Sequence, residues 1–142
     1  ALETSSYSLV TIAREASKYF SKDGASVISM TFDASTKVYP GYNVMDTAKA
    51  ALENINRQLS AQFGPNKTRF NSISAGPLPS LSARSIPGFT EMRKAHEERS
   101  PIKRPITHEE VANTALFLIS DMSSGITGSI IPVDGGYGII AL

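Results

Sequence analysis

The chain has 142 residues, of which 41% are hydrophobic and 19% are charged, and its net charge is +1. This length and composition are typical of one globular domain, and they exclude a disordered chain. A charge so close to zero gives no electrostatic reason to expect nucleic acid or an anionic membrane as a partner. No apolar run is long enough to span a bilayer. The chain has no cysteine, so disulfides are not expected, and with only two histidines a zinc site is not expected either. The absence of cysteine leads us to expect a cytoplasmic location.

The first third of the chain predicts a helix, a strand and a loop. Ser5-Ser6 predicts a cap for a helix that extends to about Phe20. Residues 25–32 form a short apolar run, which predicts a strand buried on both faces, and a polar loop follows from Asp33 to Gly41. The apolar stripe of the helix contains Leu9, Ile12, Ala13, Ala16 and Phe20.

The middle of the chain predicts a long helix and a second strand. The helix runs from about Tyr42 to Phe63, where Gly64-Pro65-Asn66 ends it. Residues 68–74 alternate between apolar and polar side chains, which predicts a strand. The inward-facing positions of the helix are Ala48, Ala51, Leu52, Ile55 and Leu59.

Beyond the second strand the pattern becomes less regular. After a sharp turn at Ala75-Gly76-Pro77, residues 80–96 are weakly helical, and Pro87-Gly88 interrupts them. This interruption predicts a mobile helical segment in two pieces.

The last part of the chain predicts one more helix and one more strand. Thr107-His108-Glu109-Glu110 is a capping box for a helix that ends near Met122. Residues 129–133 predict a strand, and a turn at Gly135-Gly136 follows. The apolar stripe of this helix contains Val111, Ala115, Leu118 and Ile119.

Strands alternating with helices predict an α/β fold, a Rossmann-like doubly wound parallel sheet covered by helices. Three strands are few for such a sheet. A dinucleotide-binding domain also needs a glycine-rich turn between its first strand and helix to receive the pyrophosphate. No such turn is present, because Gly125-x-x-Gly128 and Gly135-Gly136 do not open a helix.

Tyr42 and Lys49 are the strongest candidates for chemistry. Seven residues are close to two helical turns, so on a helix the phenol and the ammonium project from nearly the same face. A phenol can donate a proton or a hydrogen bond to a substrate oxygen, and a nearby cation is expected to lower its pKa.

The stretch Tyr42-Asn43-Val44-Met45, continued by Ala48-Lys49-Ala50, resembles the active-site helix of enoyl-acyl-carrier-protein reductases. These enzymes are a divergent branch of the short-chain dehydrogenase/reductase superfamily. The resemblance implies that residues 1–142 are the carboxyl-terminal half of one Rossmann-like domain and that the dinucleotide-binding half is missing. It continues in order through Ser74-Ala75-Gly76-Pro77-Leu78, Ile102-Lys103-Arg104, Gly125-Ile126-Thr127-Gly128 and Val133-Asp134-Gly135-Gly136-Tyr137.

The resemblance also implies a site. Tyr42 would stabilise the enolate oxygen formed when NADH reduces an enoyl thioester on acyl-carrier protein, and Lys49 would bind the nicotinamide ribose. Tyr39 is an alternative phenol. Further cofactor contacts would come from Phe32, Ala75, Gly76, Pro77, Leu78 and Ser80. The substrate-binding segment would be residues 80–96, and substrate contacts would come from Tyr42, Met45, Ser82, Ile86 and Phe89.

Two alternatives stay open. Another short-chain dehydrogenase, such as a β-ketoacyl reductase, would need Tyr and Lys four residues apart, but Asp46 stands at that position. A non-catalytic fragment that keeps the fold and binds no cofactor is consistent with the lack of a glycine-rich turn. For the complete enzyme, the resemblance implies a homotetramer.

Overall fold

The computed structural model describes residues 1–84 and 86–141, without the side chain of Ser82. In this part of the chain, one parallel sheet forms in the spatial order β1 (Ala25–Thr31), β2 (Thr68–Ala75) and β3 (Ile130–Val133).

The central strand, β2, aligns the ends of its neighbours. Ser74 pairs with Thr31 of β1 on one side and with Pro132 of β3 on the other. The carboxyl ends of all three strands therefore lie side by side at one edge of the sheet. In open parallel sheets this edge is where ligands bind.

Helices lie on both faces of the sheet and above this edge. The short helix α3 and helix α4 follow β2 and stand at the carboxyl ends of the strands. The helices are α1 (Ser8–Ala16), α2 (Val44–Phe63), α3 (Leu81–Arg84), α4 (Phe89–Arg99) and α5 (His108–Ile119).

Two apolar cores flank β2, because its successive side chains point to opposite faces. Phe70 packs on one face with Leu9 of α1 and Leu52 of α2. Ile73 packs on the other face with Leu118 of α5. Helices on both faces of a parallel sheet confirm the predicted α/β fold class.

The boundaries of the elements differ from the sequence predictions mainly at the amino terminus. The prediction that Ser5-Ser6 caps the first helix is wrong, because the backbone is already helical in a wide turn over Glu3–Tyr7 that leads into α1. The Ser6 hydroxyl is buried and donates to the carbonyl oxygen of Ala48 over 2.9 Å, so it joins the wide turn before α1 to α2 instead. Helix α1 ends at Ala16, before the predicted end.

Three burial predictions are also wrong. Ile12 is 59% exposed and Ile119 is 54% exposed, so the apolar stripes of α1 and α5 are narrower than predicted. Strand β1 was expected to be buried on both faces, but Met30 is 45% exposed. Among the described strands, β1 pairs only with β2 and lies at the edge of the sheet.

Helix α2 begins at Val44 rather than Tyr42, and α5 ends at Ile119 rather than near Met122. Other features agree with their predictions. The capping box at Thr107 is present, with its hydroxyl accepting from the N–H of Glu110. Residues 80–96 form two helical pieces, as predicted, and α4 continues to Arg99. No helix in the described ranges combines the length and the apolar character that crossing a membrane requires.

Candidate active site

A cavity of about 380 Å³ opens at the carboxyl ends of the strands, beneath α3 and α4. It brings together the predicted residues from the loop after β1, the start of α2, the turn after β2 and the helical segment. Ser82 is the exception, because its side chain lies outside the described part of the chain. The predicted residues that line the cavity are Phe32, Tyr42, Met45, Lys49, Ala75, Gly76, Pro77, Leu78, Ser80, Ile86 and Phe89.

Tyr42 precedes the helix on which it was predicted to lie. Helix α2 begins at Val44, and Tyr42 lies in the turn before it, with its carbonyl oxygen accepting from the N–H of Met45 over 3.2 Å. Asn43, between the turn and the helix, has φ 49° and ψ −126°. The two-turn helical spacing therefore does not describe how Tyr42 and Lys49 are placed, although both side chains line the cavity.

The electrostatic environment of Tyr42 also differs from the prediction. Burial raises the pKa of the Tyr42 phenol, and the Asp46 carboxylate raises it further. The expectation that Lys49 would lower this pKa is wrong. A phenol with a raised pKa keeps its proton at neutral pH, so Tyr42 is a hydrogen-bond donor.

Lys49 is anchored to the edge strand. Its Nζ donates to the carbonyl oxygen of Met30 over 2.9 Å, and burial lowers the pKa of its ammonium. An ammonium has three N–H donors, so two remain for other partners.

The turn after β2 contributes mainly backbone to the cavity. Gly76 donates its N–H to the carbonyl oxygen of Val133 over 3.0 Å, which extends the pairing of β2 with β3 by one residue. Pro77 and Leu78 then line the cavity. Ser80 directly precedes α3, and its Oγ accepts from the N–H of Ala83 over 3.2 Å.

An apolar wall faces these polar groups. It is formed by Met45, Leu78, Ala83, Ile86, Phe89 and Met92. Phe89 is buried, at the start of α4. Apolar lining with a few convergent polar groups is the usual character of a small-molecule site.

The cavity also contains residues that the sequence predictions did not assign to it. His96 of α4 is 5% exposed and stacks on Tyr137 with ring centroids 4.4 Å apart. Its Nε2 is buried and has no hydrogen-bond partner among the described residues. Burial lowers the pKa of His96, opposed by the carboxylates of Asp134 and Asp33.

Asp33 and Tyr137 also line the cavity without having been predicted, and a positional rule would have found both. Asp33 follows β1 closely and Tyr137 follows β3, and side chains after the carboxyl ends of parallel strands face the ligand crevice. This rule does not apply to His96, because His96 lies on helix α4 and does not follow the end of a strand. In the described ranges, no three His, Asp or Glu side chains cluster to hold a metal ion.

The model of a protein family described as enoyl-(acyl carrier protein) reductase matches residues 1–138. The chain belongs to the enoyl-acyl-carrier-protein reductase family. This confirms the resemblance read from the Tyr42–Lys49 stretch.

Individual relatives agree with this assignment. The chain is 48% identical over 142 residues to the NADH enoyl-acyl-carrier-protein reductase FabI of Synechocystis, covering 100% of this chain and 55% of the relative. It is 44% identical over 137 residues to the NADPH enzyme FabI of Staphylococcus aureus, covering 96% of this chain and 53% of that protein. The chain therefore spans about half the length of the curated relatives it matches.

Solved structures give the same result for the fold. The Bacillus cereus enoyl-acyl carrier protein reductase, solved with NADP⁺ and indole naphthyridinone, superposes with a TM-score of 0.93 at 42% identity, over 97% of this chain and 53% of that one. The enzyme from Anaplasma phagocytophilum, solved with NAD, superposes with a TM-score of 0.91 at 36% identity, over 97% of this chain and 52% of that one.

Proposed function

We propose that this chain is the carboxyl-terminal half of an NADH-dependent enoyl-acyl-carrier-protein reductase of fatty acid synthesis. The observation that carries the proposal is the shared cavity of Tyr42, Lys49 and the turn after β2. Its apolar wall gives an acyl chain a place beside the polar groups. The complete enzyme reduces the trans double bond conjugated with a thioester.

Tyr42 acts on the thioester oxygen. When bound, the nicotinamide supplies a hydride to the β-carbon of the substrate. The electron pair of the double bond moves toward the thioester oxygen, which becomes negative, and a proton from solvent completes the α-carbon. The Tyr42 phenol donates a hydrogen bond to that oxygen, so it stabilises the transition state more than the ground state. The raised pKa of Tyr42 supports this role, because only the protonated phenol donates.

The residues of this chain fit one end of the cofactor. The two remaining N–H donors of Lys49 suit the ribose hydroxyls, and Phe32 with residues 75–78 forms a wall for the nicotinamide ring. Ser80 lines the same cavity, and its hydroxyl would lie near the pyrophosphate of a bound cofactor. The glycine-rich pyrophosphate turn itself belongs to the dinucleotide-binding half, which we place before Ala1.

Other properties of the complete enzyme follow from the same proposal. Its substrate is carried by acyl-carrier protein, and the protein assembles as a homotetramer in the cytoplasm. The absence of cysteine fits a reducing compartment. No described strand pairs with the outer edge of β1, which supports a sheet that continues into the dinucleotide-binding half.

The test uses a full-length reductase, made by joining the amino-terminal half of the Synechocystis relative to Ala1. We expect it to oxidise NADH with the crotonoyl thioester of N-acetylcysteamine. The acetoacetyl thioester is the control substrate. Oxidation with this ketone alone would instead indicate a β-ketoacyl reductase.

A second measurement tests the division into halves. We expect calorimetric titration of the 142-residue chain with NADH to give no binding, and the full-length reductase to bind one NADH per chain. Tight binding by the shorter chain as a monomer would contradict the proposed location of the cofactor site.

A further inference from the structure

The loop between β1 and α2 is closed on itself by one carboxylate. The Tyr39 hydroxyl donates to Asp33, with Oη 2.8 Å from Oδ1 and 2.9 Å from Oδ2. The same carboxylate pairs with the Nζ of Lys37 at 3.2 Å. Asp33 thus fixes two later positions of the loop, and we call its pair with Tyr39 the Asp33–Tyr39 clamp.

The clamp is in direct contact with the proposed catalytic phenol. The Tyr39 and Tyr42 ring centroids are 5.9 Å apart, and the Phe32 and Tyr42 centroids are 5.3 Å apart. These are separations at which aromatic rings attract one another. The Phe32 and Tyr39 centroids are also only 6.3 Å apart, so the ring of Tyr42 packs in a three-ring cluster with Phe32, which directly follows β1, and with a ring that the clamp immobilises.

Tyr42 needs this support, because α2 does not provide it. The helix starts two residues later, at Val44, after Asn43 with φ 49° and ψ −126°. A non-glycine residue with such dihedrals costs about 1–3 kcal/mol and persists only where its surroundings hold it. From the amino-terminal side this turn is held by the aromatic rings, by the clamp and by a hydrogen bond from the N–H of Tyr42 to the carbonyl oxygen of Tyr39 over 3.1 Å.

We propose that Asp33 and Tyr39 are positioning residues, which hold the Tyr42 phenol where the thioester oxygen is bound. This inference rests on the proposed function. Burial and the Asp33 carboxylate raise the pKa of Tyr39, so its hydroxyl stays protonated and the clamp stays closed at neutral pH. Tyr39 does not replace Tyr42 as the donor, because its own proton is already committed to Asp33.

The kinetic test compares variants of the full-length reductase. Tyr39→Phe keeps the ring and opens the clamp, and we expect kcat to fall about tenfold to a hundredfold, as for a misplaced catalytic group. The KM for NADH should not change. Asp33→Ala should give a similar loss, whereas Asp33→Asn should recover much of it, because an amide oxygen still accepts the phenol proton. Tyr19→Phe, at a position 85% exposed, is the matched control and should behave as wild type.

Combined variants separate positioning from direct action. In a Tyr42→Phe background, adding Tyr39→Phe should cost no further activity, because the clamp acts through Tyr42. Losses that multiply in the double variant, or a kcat of Tyr39→Phe equal to wild type, would overturn the inference.

A spectroscopic measurement does not depend on turnover. In protein labelled with ¹³C-tyrosine, the ring signals of Tyr42 are those lost in Tyr42→Phe, and they should shift in Tyr39→Phe and not in Tyr19→Phe. Unshifted signals would refute the clamp even if the kinetics agreed. If wild type were inert with the thioester while the signals shifted, the proposed function would fail and the positioning of Tyr42 would stand.

Discussion

Asn71 of β2 is fully buried, and its Nδ2 donates to the carbonyl oxygen of Ile126 over 2.9 Å. Its Oδ1 accepts from the N–H of Ser129 over 3.1 Å. One side chain therefore satisfies two backbone groups of the segment that leads into β3.

Replacing this side chain should destabilise the fold. In Asn71→Ala the N–H of Ser129 loses its partner, at about 1–3 kcal/mol. The carbonyl oxygen of Ile126 keeps a longer hydrogen bond from Nη1 of Arg69, over 3.3 Å. We expect the free energy of unfolding of the full-length reductase to fall by about 1–3 kcal/mol in urea titrations. Asn66→Ala, at an exposed position, is the control and should be near neutral. Equal stabilities would mean that water replaces the amide.

The capping box of α5 should make stability depend on pH. Hydrogen bonds from Arg104 and from the Thr107 backbone lower the pKa of Glu110 from 4.5 to about 2. Because this pKa is depressed in the folded state, the ionised carboxylate stabilises the fold above about pH 4.5, and the contribution is lost as the pH falls toward 2.

Arg104→Ala should reduce this pH dependence. The fall in unfolding free energy between pH 4.5 and the acid limit should be smaller in the variant than in wild type, and Arg57→Ala should leave it unchanged. Parallel curves for wild type and Arg104→Ala would exclude the ion pair as the cause.

Tyr42→Phe should lower kcat with little effect on cofactor affinity. Loss of one oxyanion donor costs about 10²–10³ in rate in other enzymes. Because burial and the Asp46 carboxylate raise the pKa of Tyr42, phenol ionisation should lower wild-type kcat only at a higher pH than for an ordinary phenol. Stopped-flow hydride transfer at the wild-type rate in the variant would remove Tyr42 from the mechanism.

Lys49→Ala should act on cofactor binding. Removing hydrogen bonds from a charged donor costs about 1.5–3 kcal/mol, which is roughly ten- to a hundredfold in Kd. Calorimetry of the full-length reductase with NADH measures this, and Lys22→Ala, at an exposed position, is the control. An unchanged Kd would assign Lys49 only to its bond with Met30.

The α3–α4 segment should become more protected when the site is filled. Leu81 of α3 is 90% exposed, whereas Phe89 and His96 of α4 are buried. Local openings come from such weakly packed elements. Amide hydrogen exchange in α3 should therefore be fast in the free enzyme and slow with NAD and an acyl ligand, with a smaller change in α4. The same rate in α3 with and without ligands would argue against a lid.

The sequence predicted the fold where one physical signal dominated. The apolar run of β1, the alternating pattern of β2 and the capping box at Thr107 are local signals, and each predicted element appears in the structure. The burial of individual side chains was harder to predict, because periodicity identifies an apolar face but not which element covers it. Ile12 and Ile119 belong to apolar stripes, yet nothing in the described part of the chain buries them.

The sequence predicted which residues line the cavity more fully than it predicted how they are arranged. The motif around Tyr42 indicated the right neighbourhood, but a spacing argument assumes a continuous helix, and Asn43 interrupts it. The Asp33–Tyr39 clamp and the packing of His96 on Tyr137 are tertiary contacts. Neither has a periodic signature, so they became visible only when three strand ends and one helix were placed together.

The absence of a side chain at Gly76 has a mechanical consequence. A Cβ at this position would lie 2.8 Å from both Cε1 and Nε2 of His96, much closer than carbon atoms can pack. Any larger residue would therefore act as a wedge between the end of β2 and α4. Since His96 is also stacked on Tyr137, the wedge would push on the turn after β3 as well. A single added methyl group at position 76 would thus be transmitted to two walls of the cavity without changing any group that carries out the chemistry.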